Sequence, residues 1–498
     1  MHIVRKGEAG YDDLRRISNA RFNYEPAAIA ICSCEEDVVE AIRLARKEGC
    51  GIRVRAGGHH HEGMCSGGDD VWMIDVSHLD EIKMDPDKFS VTVGPGAKLS
   101  GIYDTVLPAG MIFPGGACGD VHIGGLVQGG GWGLFSRARG LTCDSLQEFR
   151  MVIYDPEKDA FVATCVKGAW DDPNHDLFWA VSGGGGGNFG IATQFSFKTP
   201  PYKSAPGNQP KSITQFSATW SNRLSMNAVL EEWMEHFPTD DEYRLTTFCR
   251  LIAPGTEASD QPTLILGNFI GEQAELETNL KRLLPKTWNT PDFHIEYTEV
   301  AVWPPHPHPL AAKNIFTPAA YQPAPPTDGG SSLSDTCKSG AYFRHKISSA
   351  YPLERFGDGG PAEMVKQVNA TAMVGARRYI SLHCLGGVVK GEETNREKWS
   401  SFAYRHKPFL IQYQAWWYDE ALDATCKGWV DNFRDQMKPY TEGAFINFPD
   451  RDRVATKDPV ALMEPYYGTS YDRLRDIKTR YDPEKIKAFD FPMGIPRR

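Results

Sequence analysis

Hydrophobic positions along the chain change period several times, and each change predicts an element boundary. Ala28-Ile29-Ala30-Ile31 is a short apolar run that predicts a strand. Ser33 and Glu36 follow in S-x-x-E spacing, which predicts a capping box at a helix start. Val38, Ala41, Ile42 and Ala45 then recur at helical spacing, and Gly49 predicts the stop. Residues 51–55 return to a strand pattern and lead into the loop Arg55-Ala56-Gly57-Gly58-His59-His60-His61-Glu62-Gly63. The order is a βαβ unit whose second strand delivers that loop. Val71–Asp75 and Ser90–Gly94 predict further strands, so the first part of the chain is α+β.

Two glycine-rich stretches follow. Residues 115–133 carry clusters of glycine with Val121, Ile123, Leu126, Val127 and Trp132 interleaved. A flexible linker carries no such apolar load, so this backbone is expected to wrap closely around something. Further on, Gly185, Gly187 and Gly190 match G-x-G-x-x-G. A dinucleotide fingerprint needs a helix next, whereas Ile191-Ala192-Thr193-Gln194-Phe195-Ser196-Phe197 alternates as a strand, which excludes it.

After Thr199-Pro200-Pro201 the glycine clusters cease. Residues 213–220 predict a strand, 224–236 a helix, Gly267–Gly271 part of a strand and 273–284 a helix. The Pro-, Gly- and Ala-rich stretch 304–330 predicts a long surface loop or lid. Tyr342–Lys346, Tyr379–Gly387 and Phe409–Trp417 predict strands, and the polar tail is helical around Tyr471–Arg480.

Composition narrows the classes. Of 498 residues, 41% are hydrophobic and 24% charged, the balance of a globular protein large enough for two domains. No run approaches the roughly 18 apolar residues of a membrane helix. The net charge of −10 argues against sequence-independent nucleic-acid binding. Polar sequence follows Met1–Lys6 with no apolar signal core, which favours a cytoplasmic location. The eleven cysteines include no CxxC pair, and the expected state is free thiol.

The candidate chemistry centres on the Gly57-Gly58-His59 turn. Successive amides in such a turn form a concavity suited to phosphate, and an imidazole emerges from it. A metal is not expected: adjacent histidines point different ways, and no carboxylate or cysteine cluster sits at ligand spacing.

Arg55-Ala56-Gly57-Gly58-His59 with Gly63, the Cys118 segment, Gly140-Leu141 with Asp144, Phe178-Trp179-Ala180 with Asn188-Phe189-Gly190, and Tyr466-Tyr467-Gly468 with Tyr481-Asp482-Pro483 occur in this order. Together they closely resemble the berberine bridge enzyme-like flavoproteins, over nearly the whole chain. The resemblance implies an α+β, two-domain vanillyl-alcohol-oxidase (PCMH-type) FAD-binding fold. Residues 1–200, completed by 446–498, would bind FAD; 201–445 would form a substrate domain of antiparallel sheet plus helices. It implies FAD linked covalently through His59 and Cys118, with Arg55, Ala56, Gly57, Gly58, His60 and His61 around the diphosphate. Gly125, Asn188 and Ile191 would line the rest of the cofactor. Val121 falls where the family gates oxygen, and valine there goes with oxidases, so O2 is the expected acceptor.

The family's Tyr-x-Asn-Tyr-x-Asp run stands here as Phe445-Ile446-Asn447-Phe448-Pro449-Asp450, so neither tyrosine is present to supply a phenolate. A second family position, three residues before Gly386-Gly387, places His383 as the expected catalytic base. Tyr342, His345, Gln412, Gln414, Trp416, Phe445 and Asn447 are the expected substrate contacts, with Tyr413 and Trp417 facing away. The expected function is an oxidase taking hydride from an alcohol or amine C–H of a small aromatic or specialised metabolite, with oxidative cyclisation within its chemistry. The alternatives are an oligosaccharide oxidase forming a lactone and a flavin-loaded binding protein with little turnover.

Overall fold

The computed structural model describes residues 1–200, 211–255, 260–301, 343–391, 399–454 and 458–498. The expected loop at 304–330 and the candidate Tyr342 lie outside the described residues.

Three sheets appear among these residues. In the first, His2–Val4, Ala28–Ile31, Val71–Asp75 and Gly51–Arg55 lie in that order, the last three parallel. The crossover helix Glu35–Lys47 buries Val38, Ala41, Ile42 and Ala45 completely, as its spacing predicted. The capping box does not form. Cys34 is the N-cap, and the Ser33 amide instead donates to Asp37 Oδ2 at 2.8 Å. Gly51–Arg55 ends the sheet order, so its C-terminal end projects the 56–63 loop clear of neighbouring strands.

The second sheet is antiparallel, with Ile82–Asp85, Ser90–Val93, Ile191–Lys198, Leu146–Asp155 and Ala160–Lys167 in spatial order. The stretch after Gly190 is therefore a strand, and the dinucleotide helix is absent there, as the alternation required. The tail returns to this half. Lys478 Nζ donates to the Asn188 carbonyl at 2.8 Å, and Tyr467 donates to the Gly184 carbonyl at 2.9 Å.

The third sheet is antiparallel, its order Phe293–Ala301, Ser212–Trp220, Thr263–Phe269, Leu245–Ile252, Ala376–Cys384, Phe409–Trp417, Arg344–Pro352 and Thr441–Glu442. Side chains alternate across it. One face buries Cys249, Leu251, Ile380, Leu382, Tyr413 and Trp417 in a core shared with the helices Met226–His236, Gly360–Asn369 and Asp423–Met437. Each large apolar side chain buried there contributes about 1.5–3 kcal/mol. The opposite face carries Arg250, Tyr379, Gln412, Gln414 and Trp416 toward the first two sheets.

Close backbone packing explains part of the glycine content. A Cβ on Gly133 would stand 1.7 Å from the Gly115 carbonyl oxygen, so these two ends of the 115–133 stretch touch backbone to backbone. That glycine serves the chain's own packing rather than a ligand.

Candidate active site

A cleft of about 300 Å³ runs between the third sheet and the other two. Its first wall is loop. Ala56, Gly57, Gly58, His59, His60 and His61 line it, followed by Cys118 and Val121, then Gly125, then Gly186, Gly187 and Asn188. Its second wall is the sheet face described above, closed by Phe445, Asn447 and Phe448 from the segment before the tail helices.

The loops carrying His59 and Cys118 pack on one another. A Cβ on Gly57 would come within 2.6 Å of the His122 ring, so glycine is required for this approach. Gly58 takes φ 72°, the left-handed turn that swings the chain into the cleft. Among the described residues, the amides of Gly57, Gly58, His59, His60 and His61 donate to no backbone carbonyl. They are ready donors to the oxygens of a diphosphate. Gly125 fits the same use: a Cβ there would meet nothing within 4 Å, because this face opens onto the cleft. The residues present thus fit the FAD that the resemblance implies.

The histidines separate into distinct roles. Burial lowers the His59 imidazole, against the opposing pull of Asp120, so the ring is neutral. His60 is turned into its own loop, its Nδ1 facing the amides of Glu62 and Met64 at 3.2 and 3.4 Å. His61 Nδ1 meets His345 Nε2 at 3.0 Å, and burial pulls His61 down to about 3. Among the described residues, no group of three or more His, Cys, Asp or Glu side chains is placed to hold a metal ion. No described helix is long and apolar enough to cross a membrane. The Cys118 thiol is pushed up to about 12 by burial and by Asp120, with Arg250 opposing.

Four expected residues are placed elsewhere. The Arg55 side chain turns away from the cleft, its Nε 3.0 Å from Asp75 Oδ2, directly opposite in the strand ladder. It also donates to the Leu14 and Arg16 carbonyls, so its role is to brace the loop. Ile191 is wholly buried in the core beside Val152 and Tyr154. His345 sits behind His61, stacked on Trp416 at 4.2 Å. His383, the expected base, is wholly buried behind Gln412 and Trp132, with Trp132 edge-on at 4.4 Å and Gln412 Oε1 at 3.1 Å from Nε2. Burial holds it near 3, with Arg250 adding to the effect, so it is a weak base as well as a remote one.

Sequence reasoning missed Arg250, Tyr379, Phe448 and His122, all of which line the cleft. The Arg250 guanidinium lies over the Tyr379 ring at 4.4 Å. Alternation back from His383 through Ser381 selects Tyr379, so that signal was present. Arg250 lies on a strand whose pattern alone gave no cue. Also missed was a buried ionic cluster at the seam of the two walls. Lys346 Nζ contacts Asp450, Asp452 Oδ2 at 2.8 Å and Glu62 Oε1 at 3.5 Å, and Arg434 Nη1 also reaches Asp450. Burial alone would raise the Asp450 carboxyl, but Lys346 and Arg434 hold it at about 2.

Fold and cleft together define an FAD-dependent oxidoreductase. The family model described as "FAD binding domain" matches residues 26–157, and "Berberine and berberine like" matches 444–496. The chain is 35% identical to the FAD-linked oxidoreductase pynB of Aspergillus niger, across 97% of this chain and 87% of that one. Among solved structures it is similar to aclacinomycin oxidoreductase, at 25% identity and TM-score 0.81, covering 100% and 99% of the two chains. It also resembles in fold the glucooligosaccharide oxidase of Acremonium strictum, at 22% identity and TM-score 0.80, covering 100% and 97%. That protein carries a 6-S-cysteinyl, 8α-N1-histidyl FAD. The chain belongs to the berberine bridge enzyme-like FAD-linked oxidoreductases.

Proposed function

We propose that this flavoprotein is a bicovalently linked oxidase that removes hydride from an alcohol or amine C–H of a small aromatic or specialised metabolite, with O2 as acceptor and H2O2 as product. One observation carries the reading: His59 and Cys118 open onto a single cleft from loops packed together at Gly57 and His122, opposite an aromatic and amide wall. His59 is assigned the bond to the flavin 8α-methyl group and Cys118 the bond to ring carbon C6. The neutral His59 ring has a lone pair available for its bond. Bound FAD supplies the two-electron acceptor and its reoxidation by oxygen.

The chain's own residues bind, orient and move a proton. The 57–61 amides hold the diphosphate, and Val121 beside Cys118 leaves room for oxygen. Tyr379 takes the substrate's O–H or N–H proton in place of His383, because it lines the cleft and His383 does not. Burial raises the Tyr379 phenol and the Arg250 guanidinium over its ring opposes this, so Tyr379 first gives up its own proton to solvent through the cleft and accepts the substrate proton as the phenolate that Arg250 stabilises. Phe445 and Phe448 offer no hydroxyl toward a sugar, which favours an aromatic substrate over the lactone-forming alternative.

Anaerobic mixing of the yellow protein with aromatic alcohols and amines, and separately with oligosaccharides, tests the reading. Flavin bleaching by the aromatic set, with H2O2 on admitting air, is expected. Bleaching by oligosaccharides alone would favour the lactone reading, and no bleaching by either set the binding protein.

A further inference from the structure

On the sheet wall of the cleft four side chains join in one hydrogen-bonded line. Trp416 Nε1 lies 3.1 Å from Gln414 Oε1, Gln414 Nε2 lies 2.7 Å from Gln412 Oε1, and His383 Nε2 lies 3.1 Å from the same Gln412 oxygen. An indole nitrogen only donates. The Gln414 atom facing it must therefore be the carbonyl oxygen, and the other end of that amide must be the donor. The Gln412 atom facing Gln414 must then be oxygen, and His383 Nε2, which meets the same oxygen, must carry its hydrogen. A single donor-only residue thus sets the direction of the whole line.

Both ends are packed against other rings. Trp416 stacks on His345 at 4.2 Å, and His383 meets the Trp132 ring at 4.4 Å. Trp132 is itself tied to the sheet by a 2.8 Å bond from Nε1 to the Cys384 carbonyl. With its oxygen committed twice, Gln412 turns its amide nitrogen to the cleft that the residue lines; among the described residues that nitrogen donates to no protein group. Flipping the amide would set two donors against the Gln414 N–H and the His383 N–H, leaving both without an acceptor, and would turn an oxygen to the cleft.

We propose that Gln412 is a specificity-determining residue, a fixed N–H donor that selects ligands carrying an accepting oxygen (carbonyl, ether or phenolate) on an aromatic ring held against Trp416 and Tyr379. The proposal rests on the reading of this cleft as the substrate site and names a chemical feature of the substrate. It also removes His383 Nε2 as a proton acceptor, since that nitrogen already holds a hydrogen.

The Gln412→Glu holoenzyme keeps an oxygen for His383 and Gln414 and replaces the cleft donor with an acceptor. The probes are acetophenone, a ring with an accepting carbonyl, and phenyltrimethylammonium, a ring with a cation and no acceptor. Binding is read from the flavin absorption spectrum. The parent is expected to prefer acetophenone. The variant is expected to lose acetophenone affinity by about ten- to a hundredfold and to bind the ammonium more tightly. Absence of a preference in the parent, or unchanged acetophenone affinity in the variant, would overturn the proposal. Should the variant fail to fold, nitrogen NMR of histidine-labelled parent decides. The His383 signal, identified by its loss in His383→Asn, is expected to report the Nε2–H tautomer, and the Nδ1–H tautomer would overturn the polarity. Flavin bleaching by aromatic alcohols alongside unchanged probe affinities would sink this proposal and leave the function standing; a protein without flavin would sink the function while the NMR result still tests the line.

Discussion

On one side of the cleft the groups facing a ligand are backbone: the amides of Gly57 to His61 and the open face of Gly125. On the other they are side chains projecting from alternate positions of three antiparallel strands, with Arg250, Tyr379, Gln412 and Gln414 as polar groups. A backbone wall recognises what every FAD shares and changes only if a glycine is lost. A side-chain wall can be rewritten one residue at a time while its sheet stays intact. The difference lets one fold hold the same cofactor while the substrate wall changes.

The sharpest test of this division is Tyr379→Phe. It should slow flavin reduction by about a hundred- to ten-thousandfold, the range for losing a general base, while flavin content stays at the parent level. Rapid-mixing reduction with flavin quantified per chain checks it; lost flavin would mean that the side-chain wall also holds the cofactor.

Next comes the seam. Lys346→Met removes the buried cation shared by Glu62 and Asp450, leaving Arg434 on Asp450 and Arg451 on Glu62, and should cost up to about 3–5 kcal/mol of stability, read by denaturant unfolding. Asp450 also sets a pH dependence. Its folded pKa is depressed, so the stability it contributes is fully present above the ordinary carboxylate value and is lost as pH falls toward about 2. An acid limb in that window, shallower in Asp450→Asn, is the expected outcome.

On the backbone wall, Gly57→Val should cost about 1–3 kcal/mol through its clash with His122 and should leave the protein without flavin. The absorption spectrum of the purified variant checks this, and normal loading would break the comparison. The smallest effect is expected from Val121→Ile, a single added methylene beside Cys118. Reoxidation by O2 should slow several-fold more than reduction by substrate, as rapid mixing with oxygen would reveal.

The backbone wall was largely legible in the sequence because glycine leaves a chemical signature. The Gly57-Gly58-His59 turn was read from its own residues and Cys118 from the family resemblance, and both line the cleft; the alternation of Ile191–Phe197 correctly excluded a dinucleotide helix. The strand Phe409–Trp417 was equally legible, and its period put Gln412, Gln414 and Trp416 on one face. What stayed hidden depends on pairing between distant segments. Lys346 meets Glu62 across 284 residues and Asp450 across 104. No local pattern announces either contact. Arg250 and Tyr379 come together through strand register rather than sequence proximity. His383 was placed correctly on its strand and wrongly in the cleft, since alternation gives the face of a sheet and not the depth at which neighbours such as Trp132 cover it.

The central claim is that two protein side chains are bonded to one flavin. Peptide mapping of the acid-precipitated holoprotein by mass spectrometry tests it most directly. The expected result is a single flavin joining the peptide containing His59 to the peptide containing Cys118, with each single alanine variant retaining the other bond. Flavin released into the acid supernatant, with both peptides unmodified, would contradict the account.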